Sequence, residues 1–394
     1  MIGTRLDNVD APRLIRGAHG WWFIGNRTWT LLRAEHVDAE GVIRADIAEF
    51  LREQGAYRPR IPKSFSLTVL TNTDCNLGCG YCFQNTALDP SGGHRPLRIA
   101  RQRLDDDTIE RIMKFTAARM AAAELDKMTL LLFGGEPLLN PRGCLRLLTR
   151  ATDFGLRSAS TATNGVLLKE QLAVELYAAG LRGAQITFDG SRNDHDQIRV
   201  THAGSPTFDQ ILHNVERATA RTELRWNFRV NVSHHNFDRI GDLFGQLDGH
   251  VDPSRSTIVF AWVGDAGFGY GNDLRRAADV ADAFAEWSIA GIGAGYHIER
   301  PSMRTTCQIC SVPGGRYGAV VNADGTLYSS WQSAGKRDFA VGAVDTGYLD
   351  VHQVADRWVT CGYEYAQADS EVADTFADRV DARVLDHLYT TGRL

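Results

Sequence analysis

The stretch FSLTVLT (65–71) runs, three residues on, into CNLGCGYC (75–82). The first segment mixes apolar and β-branched residues over strand length and reads as a buried strand. The second holds three of the chain's seven cysteines at C-x3-C-x2-C spacing. A loop that follows a strand directly lies at the carboxyl edge of its sheet, where ligands collect in α/β proteins. Three thiolates in eight residues can converge on one soft-metal centre. Gly78 and Gly80 let the backbone wrap closely around it. A structural zinc site takes four protein ligands, usually as two separated pairs. The nearest histidine, His94, sits on a Gly/Pro-rich stretch. Three cysteines suit a 4Fe–4S cluster with one iron left open.

From 63 to about 295, short apolar runs alternate with amphipathic stretches. Strands are expected at Phe65–Thr71, Met128–Phe133, Ser158–Ala162, Ala184–Phe188, Trp226–Val232 and Thr257–Trp262. Helices are expected near 105–122, 141–152, 168–179, 207–220, 235–247 and 273–290. This alternation implies a parallel sheet with helices outside it. Periodicity alone leaves two arrangements open, a doubly wound sheet and an incomplete barrel. Before this region, Trp21–Glu35 reads as a hairpin turning at Gly25-Asn26, and Ala45–Gln54 as a helix. After it, Tyr317–Asn322 and Thr326–Trp331 flank Asp324-Gly325, a hairpin signal. An amphipathic helix is expected over Val372–Leu388. The domains expected are 1–62, 63–298 and 299–394.

The 394 residues carry 43 Lys+Arg against 48 Asp+Glu, a mild acidity that gives no reason to expect nucleic acid or an acidic membrane as partner. Met1–Arg13 has charges where a signal peptide needs an apolar run, and no apolar stretch approaches the ~20 residues of a span. A soluble cytoplasmic protein with reduced thiols is expected.

C-x3-C-x-aromatic-C after a first strand resembles the radical S-adenosylmethionine (SAM) superfamily. The resemblance implies an α/β fold, a partial (β/α)6 TIM-like barrel. It implies a 4Fe–4S cluster on Cys75, Cys79 and Cys82 whose open iron binds SAM. An electron from a reductant such as flavodoxin or ferredoxin then cleaves SAM to a 5′-deoxyadenosyl radical that takes hydrogen from the substrate. Tyr81 matches the aromatic residue near adenine. Gly134-Gly135-Glu136 matches the family's GGE motif at the SAM ammonium. Asn164, in Thr163-Asn164-Gly165, matches a position near the cofactor. Thr187 and Arg199 match the pair that binds the SAM carboxylate in the anaerobic sulfatase maturases and their relatives. Arg229 and Asn231 share one strand face, and Asn231 is a further cofactor candidate. Asp189 and His195 are acid/base candidates, with structural roles as the competing reading.

Tyr317–Trp331 resembles the hairpin of SPASM and twitch domains, which carry auxiliary iron–sulfur clusters, and Gly342 fits the following F-x-x-G element. Ser329-Ser330 stands where that family has Pro-Cys, and its dense downstream cysteine run is missing. Two auxiliary clusters are excluded by counting. Cys307, Cys310 and Cys361 either hold one auxiliary cluster or are thiols left in a fold that has lost it. Cys361 is also a catalytic candidate. Trp331 follows Ser330 where sulfatase-oxidising maturases place an Asp base, which disfavours that activity. Cys144 reads as a core thiol.

The resemblance implies a maturase of ribosomally made peptides that installs a cross-link, an epimerised centre or an oxidised residue. The N-terminal hairpin is the expected docking element for a leader peptide, by strand addition. A small-molecule dehydrogenase or mutase is the second reading. A non-catalytic iron–sulfur peptide-binding protein is the third.

Overall fold

The computed structural model describes residues 10–84, 99–266, 269–304, 307–361 and 370–394. His94 and the first nine residues lie outside these.

The chain opens with strands β1 (Arg13–Arg16), β2 (Trp21–Gly25) and β3 (Thr28–Leu32), then helix α1 (Ala45–Glu53). A repeating strand–helix series follows. It runs β4 (Phe65–Asn72), α2 (Asp106–Ala122), β5 (Met128–Gly134), α3 (Pro141–Asp153), β6 (Leu156–Thr163) and α4 (Glu170–Ala178). It continues with β7 (Leu181–Phe188), α5 (Arg192–Ile198), α6 (Phe208–Arg221), β8 (Arg225–Val232), α7 (Asp242–Leu247), β9 (Ser256–Trp262) and α8 (Ala278–Gly293). The chain closes with β10 (His297–Ile298), β11 (Gly318–Val321), β12 (Thr326–Tyr328), β13 (Ala340–Ala343), β14 (Gly347–Tyr348) and α9 (Ser370–Thr390).

Strands β4 to β9 lie side by side in chain order and are parallel throughout. A doubly wound sheet reverses direction at a switch point. This sheet never does, so the strands follow the order of a barrel. Side chains alternate accordingly. On β5, Met128, Leu130 and Leu132 pack outward in the core, while Thr129, Leu131 and Phe133 are half-buried on the other face. On β8, Trp226, Phe228 and Val230 alternate with Arg225, Asn227 and Arg229. A parallel strand buried on both faces is usually apolar throughout. Here polar residues on one face mark an enclosed cavity.

Local chemistry sets the helix starts. Asp105 caps α2, its carboxylate accepting from Thr108 N at 2.8 Å, and Asp106 and Asp107 suit the first turn. Asn140 caps α3, with Pro141 at its first position. The helix expected over 235–247 is broken into a 3₁₀ turn and α7. Gly241 and Gly245 lower helix propensity there. Helix α5 was not expected from the sequence. It is short and polar, and its Asp194 is tied down by Ser191 Oγ at 2.8 Å.

The C-terminal hairpin continues the main sheet: β11 pairs parallel with β4, and β12 to β14 follow antiparallel. Gly325, at φ +90°, makes its turn. Helix α9 lies against α8 and receives the N-terminal sheet. Ile15, Trp22 and Ile24 pack with Ala382 and Leu385. Arg13 reaches Asp378 and Asp381, each at 2.6 Å. No described helix is long and apolar enough to cross a membrane.

Candidate active site

The three-cysteine loop leaves the carboxyl end of β4 and is held from two sides. On one side is the start of the 134–137 loop. Gly135 N donates to Asn72 O at 3.1 Å and Glu136 N to Asp74 O at 2.8 Å. A Cβ on Gly134 would stand 2.0 Å from Asn72 O, and one on Gly135 2.5 Å from Asp74 O. Only glycine lets the two backbones come so near, and Gly134 also holds φ +137°. On the other side is the segment after α5. Gly78 N donates to Val200 O at 3.1 Å, Leu77 bridges Thr201, and His202 Nε2 lies 2.9 Å from Cys75 O. No motif in Val200–His202 signals this strap.

Glu136 is fully buried. Its oxygens accept from Leu138 N at 2.9 Å, Thr163 Oγ1 at 2.7 Å and Asn164 N at 2.8 Å. Burial pushes its carboxyl upward, and those same bonds oppose the shift. Of the two groups expected at the ammonium, the Glu136 side chain or the backbone beside it, the side chain is taken up by these three donors. It fastens the loops after β5 and β6 together, and Gly134 and Gly135 line the cavity in its stead. Asn164 Nδ2 turns to the cysteine loop, 2.8 Å from Asn76 Oδ1 and 3.9 Å from Cys75 Sγ.

Tyr81 is a hub. Its hydroxyl donates to Asp189 and accepts from Arg199 Nη1 at 2.8 Å and Asn231 Nδ2 at 2.9 Å. One proton and two lone pairs are thereby used in full. Asp189 is 1% exposed. Burial pushes its carboxyl up, while Arg199 and the Tyr81 bond pull it down. The geometry favours the structural reading for His195. It is buried behind the hub, outside the cavity lining. Its Nδ1 accepts from Asp189 N at 3.3 Å, its Nε2 lies 3.1 Å from Thr207 Oγ1, and Phe188 and Phe208 flank the ring. Burial lowers its pKa well below the usual histidine range.

These elements open on a cavity of about 760 Å³. Cys75, Cys79, Cys82, Tyr81, Asn164, Thr187, Arg199 and Asn231 all line it, together with the polar faces of β4 to β9. The Thr187 side chain has no hydrogen bond among the described residues, and the residue lines this space. Burial pushes the Cys79 thiol up to about 12, against the pull of Arg199, and raises Cys75 as well.

Residues 69–247 match the family model described as Radical SAM superfamily. The chain carries a radical SAM domain. The AdoMet-dependent heme synthase of Methanosarcina barkeri is 28% identical over 172 residues, 43% of this chain and 43% of that protein. The GTP 3',8-cyclase of Synechococcus sp. is 34% identical over 155 residues, 36% of this chain and 39% of that protein. The chain thus spans about two fifths of the length of these curated relatives. The solved structure of native anSMEcpe with bound AdoMet covers 84% of this chain and 100% of its own, with TM-score 0.61 and 15% identity. The same protein with AdoMet and the Kp18Cys peptide gives TM-score 0.60 at 14% identity, covering 84% of this chain and 99% of its own. These likenesses show that the fold is shared.

A radical SAM domain implies a 4Fe–4S cluster and SAM, and the residues present fit both. No group of three His, Cys, Asp or Glu side chains among the described residues is arranged to hold a single metal ion. In a four-iron cluster each thiolate binds its own iron, so the thiols need not share one coordination sphere. No Asp, Glu or His appears among the described lining residues, and sulfur donors alone suit iron–sulfur chemistry. Arg199 has a buried Nε with no partner, which leaves it a donor to offer.

Beyond the radical SAM domain, the second set of cysteines also comes together. The Cys310 thiol is hydrogen-bonded to both Cys307 and Cys361. Hydrogen bonding by Cys310 lowers Cys361, which also touches Ser330 and lines the main cavity beside Trp331. Cys144 is a buried core thiol, 3.3 Å from Pro137 O.

Proposed function

We propose that this chain is a radical SAM enzyme that modifies a peptide, with Cys75, Cys79 and Cys82 holding the 4Fe–4S cluster. The observation that carries the reading is the single cavity shared by the cysteine loop, Thr187, Arg199, Asn164 and the barrel interior. When bound, the cluster and SAM supply one-electron cleavage of a sulfonium and abstraction of a hydrogen atom. The protein binds, aims and keeps water out.

Thr187 and Arg199 hold the SAM carboxylate, a planar guanidinium being well shaped for it. Tyr81 accepts from that guanidinium and is itself held by Asn231, and the buried Asp189 balances the charge. Gly134 and Gly135 offer backbone where the ammonium lies. Trp331 and Cys361 stand at the C-terminal side of the cavity, where a substrate residue enters. Cys361 is the candidate to give or take a hydrogen there. Cys307, Cys310 and Cys361, which meet at Cys310, are the residues that would hold an auxiliary cluster.

A peptide substrate is supported by the likeness in fold to a protein solved with a bound peptide. A strand edge on β3 that no strand covers among the described residues is a second support. The heme synthase and cyclase relatives favour the small-molecule alternative.

Anaerobic reconstitution with dithionite and SAM tests the reading. We expect 5′-deoxyadenosine, formed faster when the cognate peptide is added. Cys79→Ala should lose turnover and the share of the brown chromophore that the SAM-binding cluster contributes. A product-free reaction with an intact cluster refutes the enzyme. Iron in a Cys75/Cys79/Cys82 triple alanine variant then counts the second site: none means one cluster, about four per chain means two.

A further inference from the structure

Three arginines line the cavity, Arg199, Arg225 and Arg229, and they are the charged residues in its described lining. Arg199 is engaged with Tyr81 and faces Asp189. Arg229 shares the Asp189 charge with Arg199, so one carboxylate stands against two guanidinium groups, and Arg225 has no carboxylate beside it in the lining. Arg229 makes one hydrogen bond, from Nε to Asn231 Oδ1 at 2.9 Å, which leaves both terminal nitrogens without a protein acceptor. The Arg225 side chain has no hydrogen bond or ion pair among the described residues.

Both belong to the inward face of β8, with Asn227 between them. Across the sheet, Arg225 stands opposite Gly183, Asn227 opposite Gln185 and Arg229 opposite Thr187. Gly183 has no side chain to fill the space beside Arg225. Asn227 Oδ1 is buried and accepts from nothing. A positive wall, a gap and an unmatched acceptor therefore lie together below the cysteine loop.

SAM does not answer this wall. It carries one carboxylate, which the reading above gives to Thr187 and Arg199. Arg225 lies four residues from Arg229, about 13 Å down the strand. Arg225 is exposed at the start of β8 and Arg229 is half-buried. The half-buried guanidinium with unused terminal donors is the one that favours an anion, and a carboxylate matches its paired donors.

We propose that Arg225 and Arg229, with Asn227 and Gln185 between them, form a subsite for a carboxylate carried by the substrate. The carboxylate sits against the arginines, and a neighbouring peptide N–H donates to Asn227 Oδ1. The inference rests on the proposed function only for what carries the carboxylate. An acidic side chain and a peptide C-terminus share this chemistry.

Binding to the reconstituted protein, without dithionite, tests it. The probes for calorimetry are N-acetylglutamic acid α-amide, N-acetylalanine and the neutral N-acetylglutamine α-amide. At least one carboxylate probe should bind about 10-fold tighter than the neutral one. That preference should collapse in Arg225→Gln and Arg229→Gln and partly return in Arg229→Lys. Tighter binding of the first probe assigns a side chain, of the second a C-terminus. Equal binding of all three, or a charge preference that survives in both glutamine variants, overturns the subsite. Thermal melts check folding, and the exposed Arg225 carries the test if Arg229→Gln melts early. Deoxyadenosine formed without any carboxylate preference sinks this inference and leaves the radical reading standing. Carboxylate binding without deoxyadenosine does the reverse.

Discussion

The Tyr81 hydroxyl donates to the Asp189 carboxylate, 2.8 Å from Oδ2 and 3.0 Å from Oδ1. The two residues are 108 positions apart, one in the cysteine loop and the other at the end of β7. Their bond joins the cluster loop to the far side of the barrel, and Arg199 and Asn231 close on the same oxygen. Tyr81→Phe removes one atom and strands three buried polar groups. Each such group costs about 1–3 kcal/mol, and groups sharing one hub do not add fully. We expect a loss of about 2–4 kcal/mol in urea unfolding and weaker SAM binding. An unchanged midpoint would mean that water replaces the hydroxyl.

Gly134→Ala puts a methyl group where Asn72 O now stands and forces a backbone at φ +137° on a residue with a Cβ. The end of β5 must then move away from the residues that lead into Cys75. The expected result is a folded protein with at most half the wild-type iron and sulfide after reconstitution. Ser160→Ala, on the cavity wall away from the loop contacts, serves as the control. Full iron loading of Gly134→Ala would refute the clamp.

The six parallel strands were legible in the sequence to within a few residues at each end, because turn residues and β-branched runs marked them. The cysteine loop was legible from its spacing. The strand order was not, since pairing depends on contacts that period-2 patterns do not encode. Nor was the role of Glu136: its motif pointed to the cofactor, while its three donors come from residues two to 28 positions away. For His195 the sequence left an acid/base role and a structural role side by side, because only the fold brings Phe188 and Phe208 against its ring. The Val200–His202 strap gave no signal, because it holds the loop mainly through main-chain atoms. Docking of the N-terminal sheet on α9 spans more than 360 positions, beyond any local pattern.

His195 makes the protein acid-sensitive. Burial holds its folded pKa well below the unfolded value of about 6.5. Between those two values the unfolded chain binds the extra proton and the folded chain does not. Stability from this residue is thus complete above about pH 6.5 and falls as the pH drops toward the folded value. His195→Asn, which cannot charge, should be less stable at pH 7.5 and show a flatter profile from pH 7 to pH 5. Chemical denaturation across that range reads the slope. Parallel profiles for the two proteins would remove His195 as the cause.

Glu136→Ala separates fastening from cofactor binding. The wild-type carboxylate holds Leu138 N, Thr163 Oγ1 and Asn164 N inside the protein. Alanine leaves these donors buried without an acceptor, at about 1–3 kcal/mol each and less than their sum together. A loss of about 2–4 kcal/mol is expected even in protein without iron or SAM, since no bound group takes part in these contacts. Glu136→Gln keeps the shape but turns one acceptor into a donor that faces either Asn164 N or Thr163 Oγ1, and should fall between alanine and wild type. Urea unfolding of the iron-free protein gives the ranking. If both variants match the wild type there and differ only in SAM affinity, Glu136 serves the cofactor directly and the fastening role is wrong.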